Sequence, residues 1–160
     1  MKTDDLKITD KKILANLIKD SSKNLTDIAE NVEATRQTVS QRIKHLTDQM
    51  IIKSYTIDFN TQLFEDLSLK AYIFFREDPN AKTRKENEEI IVNIPQVTAF
   101  SRLYGKYAGI VEILVKDNDE ADAIIDQVHS LKGIIETETY FVRKIIKEDK
   151  NSPIVNLLSS

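Results

Sequence analysis

Between Ala34 and Thr47 the chain carries Arg36, Arg42 and Lys44 and no acidic residue, although the protein as a whole has a formal net charge of -3. Val39, Ile43 and Leu46 recur at i, i+4 and i+7, with Met50 continuing the stripe, so the spacing predicts a helix with one apolar face. At about 100° per residue, Gln37, Gln41 and Lys44 fall on the opposite face. Guanidinium and carboxamide groups can pair with base edges, and ammonium and hydroxyl groups can hold phosphates. Residues near the start of such a helix reach bases first, which selects Arg36, Gln37, Thr38 and Gln41 as base readers. Thr35, Ser40, Arg42, Lys44 and His45 are then the phosphate contacts. Arg42 lies near the apolar stripe, and for it an internal ion pair with Glu30 or Asp48 is an equal reading.

The elements that must position this helix can be read upstream. A first helix is expected from Thr9 or Asp10, either able to cap it, to about Lys19, burying Ile13, Leu14, Leu17 and Ile18. Asn24 caps a short second helix with Asp27 three residues on and Ile28, Ala29 and Val32 inward. Thr35 caps the third. A short helix, a tight turn at Glu33-Ala34 and a longer helix with a polar outer face is a helix-turn-helix layout. Ile51 to Phe59 is β-branched and aromatic with partial alternation, and reads as a strand leading out of the helices.

The rest of the chain follows another plan. Leu69–Arg76, Val97–Tyr104, Ile110–Lys116 and Ile134–Ile146 read as strands, and helices are expected over Lys82–Val92 and from Asn118 or Asp119 to Leu131. The order βαββαβ is that of a ferredoxin-like fold, an α+β sheet with both helices on one face. Its other face keeps apolar residues and has no cover in the chain, so a second copy is the expected partner. The boundaries are residues 1–59 for a winged helix-turn-helix domain, 60–66 for a linker, 67–148 for the ferredoxin-like domain and 149–160 for a C-terminal tail. Residues 1–57 hold ten Lys/Arg and eight Asp/Glu, residues 58–160 thirteen and eighteen.

Composition removes several classes of function. With no cysteine there is no disulfide, thiolate nucleophile or Cys-based zinc site, and a reducing cytoplasm is the expected location. Two histidines and three glycines leave no His-rich metal centre and no Gly-rich phosphate loop. No apolar run suggests a membrane segment, and no nucleophile or acid–base arrangement suggests an enzyme. No cofactor or metal is expected. The acidic residues Glu86, Glu88 and Glu89 read as a solvated helix face.

Taken together, the stretches Thr9-Asp10-Lys11-Lys12-Ile13-Leu14, Leu25-Thr26-Asp27-Ile28-Ala29, Thr35 to Leu46 and Ile51-Ile52-Lys53-Ser54-Tyr55 resemble the Lrp/AsnC family of leucine-responsive and asparagine regulators. Tyr104-Gly105-Lys106-Tyr107-Ala108 and Ile135-Glu136-Thr137-Glu138-Thr139 resemble that family's glycine turn and final strand. The resemblance spans roughly Leu6 to Glu148. It implies a sequence-specific transcription regulator that binds double-stranded DNA, forms a homodimer through its sheets and builds tetramers or octamers in many members. It also implies a small-molecule effector such as an amino acid, with Tyr104, Gly105, Lys106, Tyr107, Ala108, Thr137 and Thr139 as candidate contacts. Glycine permits close backbone approach and threonine hydroxyls can hold a carboxylate; equally, Gly105 could serve only the turn and the threonines only the strand.

Three departures stand out. Glu33-Ala34 and Met50 occupy places where the family has glycine, and Ala108 stands where it often has an aspartate suited to an amino group. An architectural, DNA-wrapping role with little sequence preference is the alternative reading.

Overall fold

The structure, a computed structural model, describes residues 5–67 and 69–158. The chain divides into two compact units, one comprising the described residues up to Asp58 and from Lys147 onward, the other Phe59–Ile146.

The first unit is helical: α1 (Ile8–Lys19), α2 (Leu25–Asn31), α3 (Arg36–Asp48) and, from the far end of the chain, α6 (Ser152–Leu158). Ile13, Ile28, Val39 and Leu46 are fully buried, with Leu14, Ala29, Val32 and Leu158 around them. Asn24 Oδ1 accepts from the amides of Thr26 and Asp27, both at 2.9 Å, and Thr35 Oγ1 accepts from the Thr38 amide at 3.1 Å. The caps expected for α1 are not used. The helix begins one residue before Thr9, after Lys7, and Asp10 lies buried within its first turn.

The left-handed turns are informative. Glu33 (φ 56°) and Met50 (φ 58°) adopt the backbone conformation that favours glycine. Ala34 N–H bonds Ala29 O and Glu33 N–H bonds Glu30 O; Ile51 N–H bonds Leu46 O and Met50 N–H bonds Thr47 O. Each set is a Schellman closure, in which the left-handed residue lets the last carbonyls find amide donors. The expected glycine geometry is therefore kept without glycine. Met50 consequently leaves the buried stripe and is 69% exposed.

Two strand expectations are corrected. Ile51–Phe59 forms no strand, so the helix-turn-helix has no β-wing among the described residues, and Tyr55, Ile57 and Phe59 are exposed. Its composition suits a strand, but a strand needs a hydrogen-bonded neighbour, and the first unit supplies none among the described residues. The final strand stops at Phe141 instead of Ile146. Its neighbour is described from Leu69, and Val142 N–H to Lys70 O is the last of these ladder bonds among the described residues.

In the second unit β1 (Leu69–Glu77), α4 (Ala81–Ile91), β2 (Val97–Arg102), β3 (Gly109–Val115), α5 (Asn118–His129) and β4 (Ile134–Phe141) form an antiparallel sheet ordered β2-β3-β1-β4. This is the ferredoxin-like plan. Alternation places Ala71, Ile73 and Phe75 of β1 and Val111, Ile113 and Val115 of β3 under the helices, where they meet Ile91, Ala121, Ile124 and Val128. The α5 cap is Asp117, whose Oδ1 accepts from the Glu120 amide, one residue earlier than expected. Lys70, Tyr72 and Phe74 lie on the opposite face, half-buried.

Candidate nucleic-acid interface and small-molecule cleft

Helix α3 presents Arg36, Gln37, Thr38, Ser40, Gln41, Lys44 and His45 to solvent, while Val39 and Leu46 hold it to the core. The Thr35 and Thr38 hydroxyls share a 2.8 Å hydrogen bond, so the cap also fixes the start of the outer face. Arg42 is different. Its Nε donates to Asp10 Oδ1 at 2.6 Å and a terminal nitrogen donates to Oδ2, a bidentate pair with Asp10 only 2% exposed. That hydrogen bond raises the Arg42 pKa further above its ordinary value. Arg42 thus ties α3 to α1 rather than standing ready for a phosphate. Its partner is also neither Glu30 nor Asp48: an aspartate 32 residues away was out of reach of helical spacing.

The effector candidates are divided by the sheet. Tyr104, Gly105, Lys106, Tyr107 and Ala108 line one cleft of about 560 Å³, together with Arg76, Glu77, Arg84, Glu88, Arg102, Leu103 and Ile135. Thr137 and Thr139 do not line it. They sit opposite Phe75 and Ile73 in the β1–β4 register and so share the helix-covered face, where Thr137 Oγ1 lies 3.1 Å from His129 Nδ1. A one-residue change in alternation decides this, and the sequence motif could not reveal which parity faced the turn.

The turn itself is anchored. Ala108 N–H donates to Phe75 O at 2.8 Å, and Leu103 N–H to Ala108 O at 3.0 Å. Gly105 has φ 152° with open space where a Cβ would sit, so it serves backbone conformation. Close approach is required at Gly109 instead, where a Cβ would lie 2.5 Å from the Phe75 ring. Lys106 Nζ donates to Glu138 Oε1 at 2.8 Å and to Tyr107 OH at 2.6 Å, while Tyr140 OH donates to Glu138 Oε2 at 2.8 Å. The bond from Lys106, with those of Tyr107 and Tyr140, holds the Glu138 carboxyl down at about 2; the same contact with Glu138 raises Lys106.

Sequence reasoning missed the charged wall of the cleft. Glu77 sits at the end of β1, where the β1–β4 register shifts, with its side chain 1% exposed. Its Oε1 accepts from an Arg102 terminal nitrogen and lies 2.9 Å from Arg84 Nε. Arg102 is held further by Glu88 Oε1 at 2.7 Å and by the Arg84 carbonyl at 3.1 Å, and stacks 5.3 Å from the Phe100 ring centre. Glu88, read as part of a solvated face, is therefore an ion-pair partner. Glu77 Oε2 has no hydrogen-bond partner among the described residues, and the Arg84 Nε–H is not aligned on one. An unsatisfied buried polar group costs on the order of 1–3 kcal/mol, so two beside a cleft call for an explanation.

The comparisons fall on the same two units. Residues 7–47 match the family model for the AsnC-type helix-turn-helix domain, and residues 70–152 that for the Lrp/AsnC ligand binding domain. An uncharacterized HTH-type transcriptional regulator of Pyrococcus furiosus is 30% identical over 149 residues, covering 93% of this chain and 97% of that protein. Another HTH-type transcriptional regulator of P. furiosus is 29% identical over 145 residues, 91% and 94% of the two chains. Among solved structures, a Neisseria meningitidis transcriptional regulator in complex with L-methionine has a TM-score of 0.86 at 23% identity, covering 95% of this chain and 99% of its own. AsnC of E. coli has a TM-score of 0.80 at 19% identity, with 91% and 97% covered. No described helix is long and apolar enough to cross a membrane.

Proposed function

The chain belongs to the Lrp/AsnC family of transcription regulators, and from that premise we propose that α3 reads a specific DNA site, in a dimer whose response a small amino acid modulates. The observation that carries the reading is the outer face of α3, solvent-exposed and free of acidic side chains from Arg36 to Thr47. Arg36, Gln37, Thr38 and Gln41 take the base edges; Thr35, Ser40, Lys44 and His45 take phosphates. One such module neutralises few phosphates and binds weakly. Two modules joined through the uncovered sheet faces gain by effective concentration, with their half-sites one helical turn, or a multiple of it, apart. The amino-acid effector is supported by the family's ligand-binding domain and by the cleft at the Tyr104–Ala108 turn.

Gel shifts on the protein's own promoter against scrambled DNA test the reading. Gln37→Ala with Gln41→Ala should lower discrimination between the two DNAs by at least about 30-fold, since each well-made contact to a base edge contributes on the order of 1–3 kcal/mol and two are removed. Unchanged discrimination in a folded variant would remove α3 as the reading element.

A further inference from the structure

After β4 the chain changes sign. Residues 59–142 hold nine Lys/Arg and fifteen Asp/Glu, whereas residues 143–150, Arg-Lys-Ile-Ile-Lys-Glu-Asp-Lys, hold four and two. We propose that this segment is a second phosphate-binding element, in which Arg143, Lys144, Lys147 and Lys150 hold the DNA backbone whatever its base sequence.

Three observations select that partner. The first is availability. All four cations are exposed, and none forms an ion pair among the described residues. Elsewhere in the sheet unit the cations are largely committed: Arg76 to Glu136, Arg84 and Arg102 to Glu77, and Lys106 to Glu138. An unpaired cation gains the full counterion release on meeting a phosphate, whereas a paired one must first give up its carboxylate. The second observation concerns the two acidic residues. Asp149 Oδ1 accepts from the Asn151 and Ser152 amides at 3.0 and 2.9 Å, at the start of α6, and Glu148 has a partner of its own. Neither pairs with the four cations. The third is attachment. The segment has no helix or strand of its own. It is nonetheless held at both ends, by Val142 N–H on Lys70 O at 2.8 Å and by Leu158 of α6, buried in the core of the helical unit that carries α3. One continuous stretch of chain keeps its cations together, and its attachment to the helical unit keeps them close to any DNA that α3 holds. Phosphate contacts need charge and reach more than fixed side-chain geometry, so irregular backbone suits them where it would not suit base reading. Lys85 and Lys132 are also exposed and unpaired among the described residues, but Lys85 shares α4 with Glu86, Glu88 and Glu89 and Lys132 stands without a second cation beside it.

This inference rests on the DNA-binding reading above, and the test separates the two. Fluorescence anisotropy of the full chain on promoter and scrambled duplexes, between about 50 and 200 mM salt, gives the slope of log K against log salt. Replacing Arg143, Lys144, Lys147 and Lys150 together by alanine should reduce that slope by about 3 to 4 for each bound protomer, at about 0.9 per lost contact. The reduction should be the same on both duplexes. Arg143→Ala with Lys144→Ala should reduce it by about 2, whereas Lys85→Ala with Lys132→Ala, which removes the same charge, should leave it unchanged. An unchanged slope in the quadruple variant would overturn the proposal. So would an equal drop in the Lys85 and Lys132 control, since the effect would then be one of net charge. Should the quadruple variant not fold, the two matched double variants decide. A quadruple variant that keeps its DNA slope and loses binding to phosphatidylglycerol vesicles would likewise overturn the proposal, and would assign the segment to a lipid surface. Equal binding of promoter and scrambled DNA by the wild-type protein, with the slope still falling in the quadruple variant, would sink specific reading by α3 and leave this element standing.

Discussion

Each unit contains a buried carboxylate held by arginine, and the two differ in what is left over. Asp10 in the helical unit meets Arg42 in a two-toothed pair that uses both its oxygens. Glu77 in the sheet unit is gripped on one oxygen by two arginines, and its other oxygen is enclosed with no hydrogen-bond partner among the described residues. A closed pair can only hold two helices together. The helical unit therefore commits its buried charge to holding α3, and the sheet unit leaves one buried oxygen without a hydrogen-bond partner among the described residues.

The sharpest way to break this comparison is at the closed pair. Arg42→Ala strands Asp10 at 2% exposure and should destabilise the helical unit by about 3–5 kcal/mol in urea unfolding. Replacing both members by apolar residues of similar volume should recover most of that loss. A single-variant cost below about 1 kcal/mol would mean that the pair is no more than a surface contact.

A smaller effect tests the left-handed turns that close α2 and α3. Glu33→Gly and Met50→Gly should each raise stability by about 0.5–1 kcal/mol, the relief of left-handed strain less the added freedom of the unfolded chain. Urea midpoints read this directly, and a loss of stability at both sites would show that these side chains contribute more than they strain.

On the outer face of α3, Lys44→Ala should weaken binding to specific and scrambled DNA alike. It should also reduce the slope of log K against log salt by about 1. The same substitution at Arg42 should leave that slope unchanged wherever the variant folds, because its guanidinium is already occupied. A slope that drops for Arg42→Ala would return Arg42 to the phosphate contacts.

The smallest effect belongs to the exposed Lys106–Glu138 pair. The folded-state pKa of Glu138 is depressed from its ordinary 4.5 to about 2. Its contribution is thus fully present above about pH 4.5 and is lost as pH falls toward 2. NMR titration of the Glu138 carboxyl should show a midpoint near 2. A midpoint near the ordinary carboxylate value would mean that the turn is not anchored by this contact.

Much of this was legible in local pattern. The apolar stripe of α3, the caps at Asn24 and Thr35, and the order of strands and helices from Leu69 onward depend on neighbours three or four residues away, or on strict alternation. Where the reading failed, the deciding partner was distant. Thr9 and Asp10 have the right chemistry to cap α1, but Asp10 is claimed by Arg42. Thr137 and Thr139 match a family motif, but strand register turns them toward α5. Ile51–Phe59 has strand composition and, among the described residues, no neighbour to pair with.

What the sequence determined by itself was α3 and the polar side chains on its outer face. Side-chain type, helical period and cap are properties of a dozen consecutive residues, and packing only had to accept them. The tertiary structure decided which charges were free to act. Arg42 was withdrawn by an aspartate on another helix, and Glu77 and Arg84 were brought to the turn that lacks a carboxylate of its own. Charges act through space over a few ångströms, and separation along the chain says nothing about that distance.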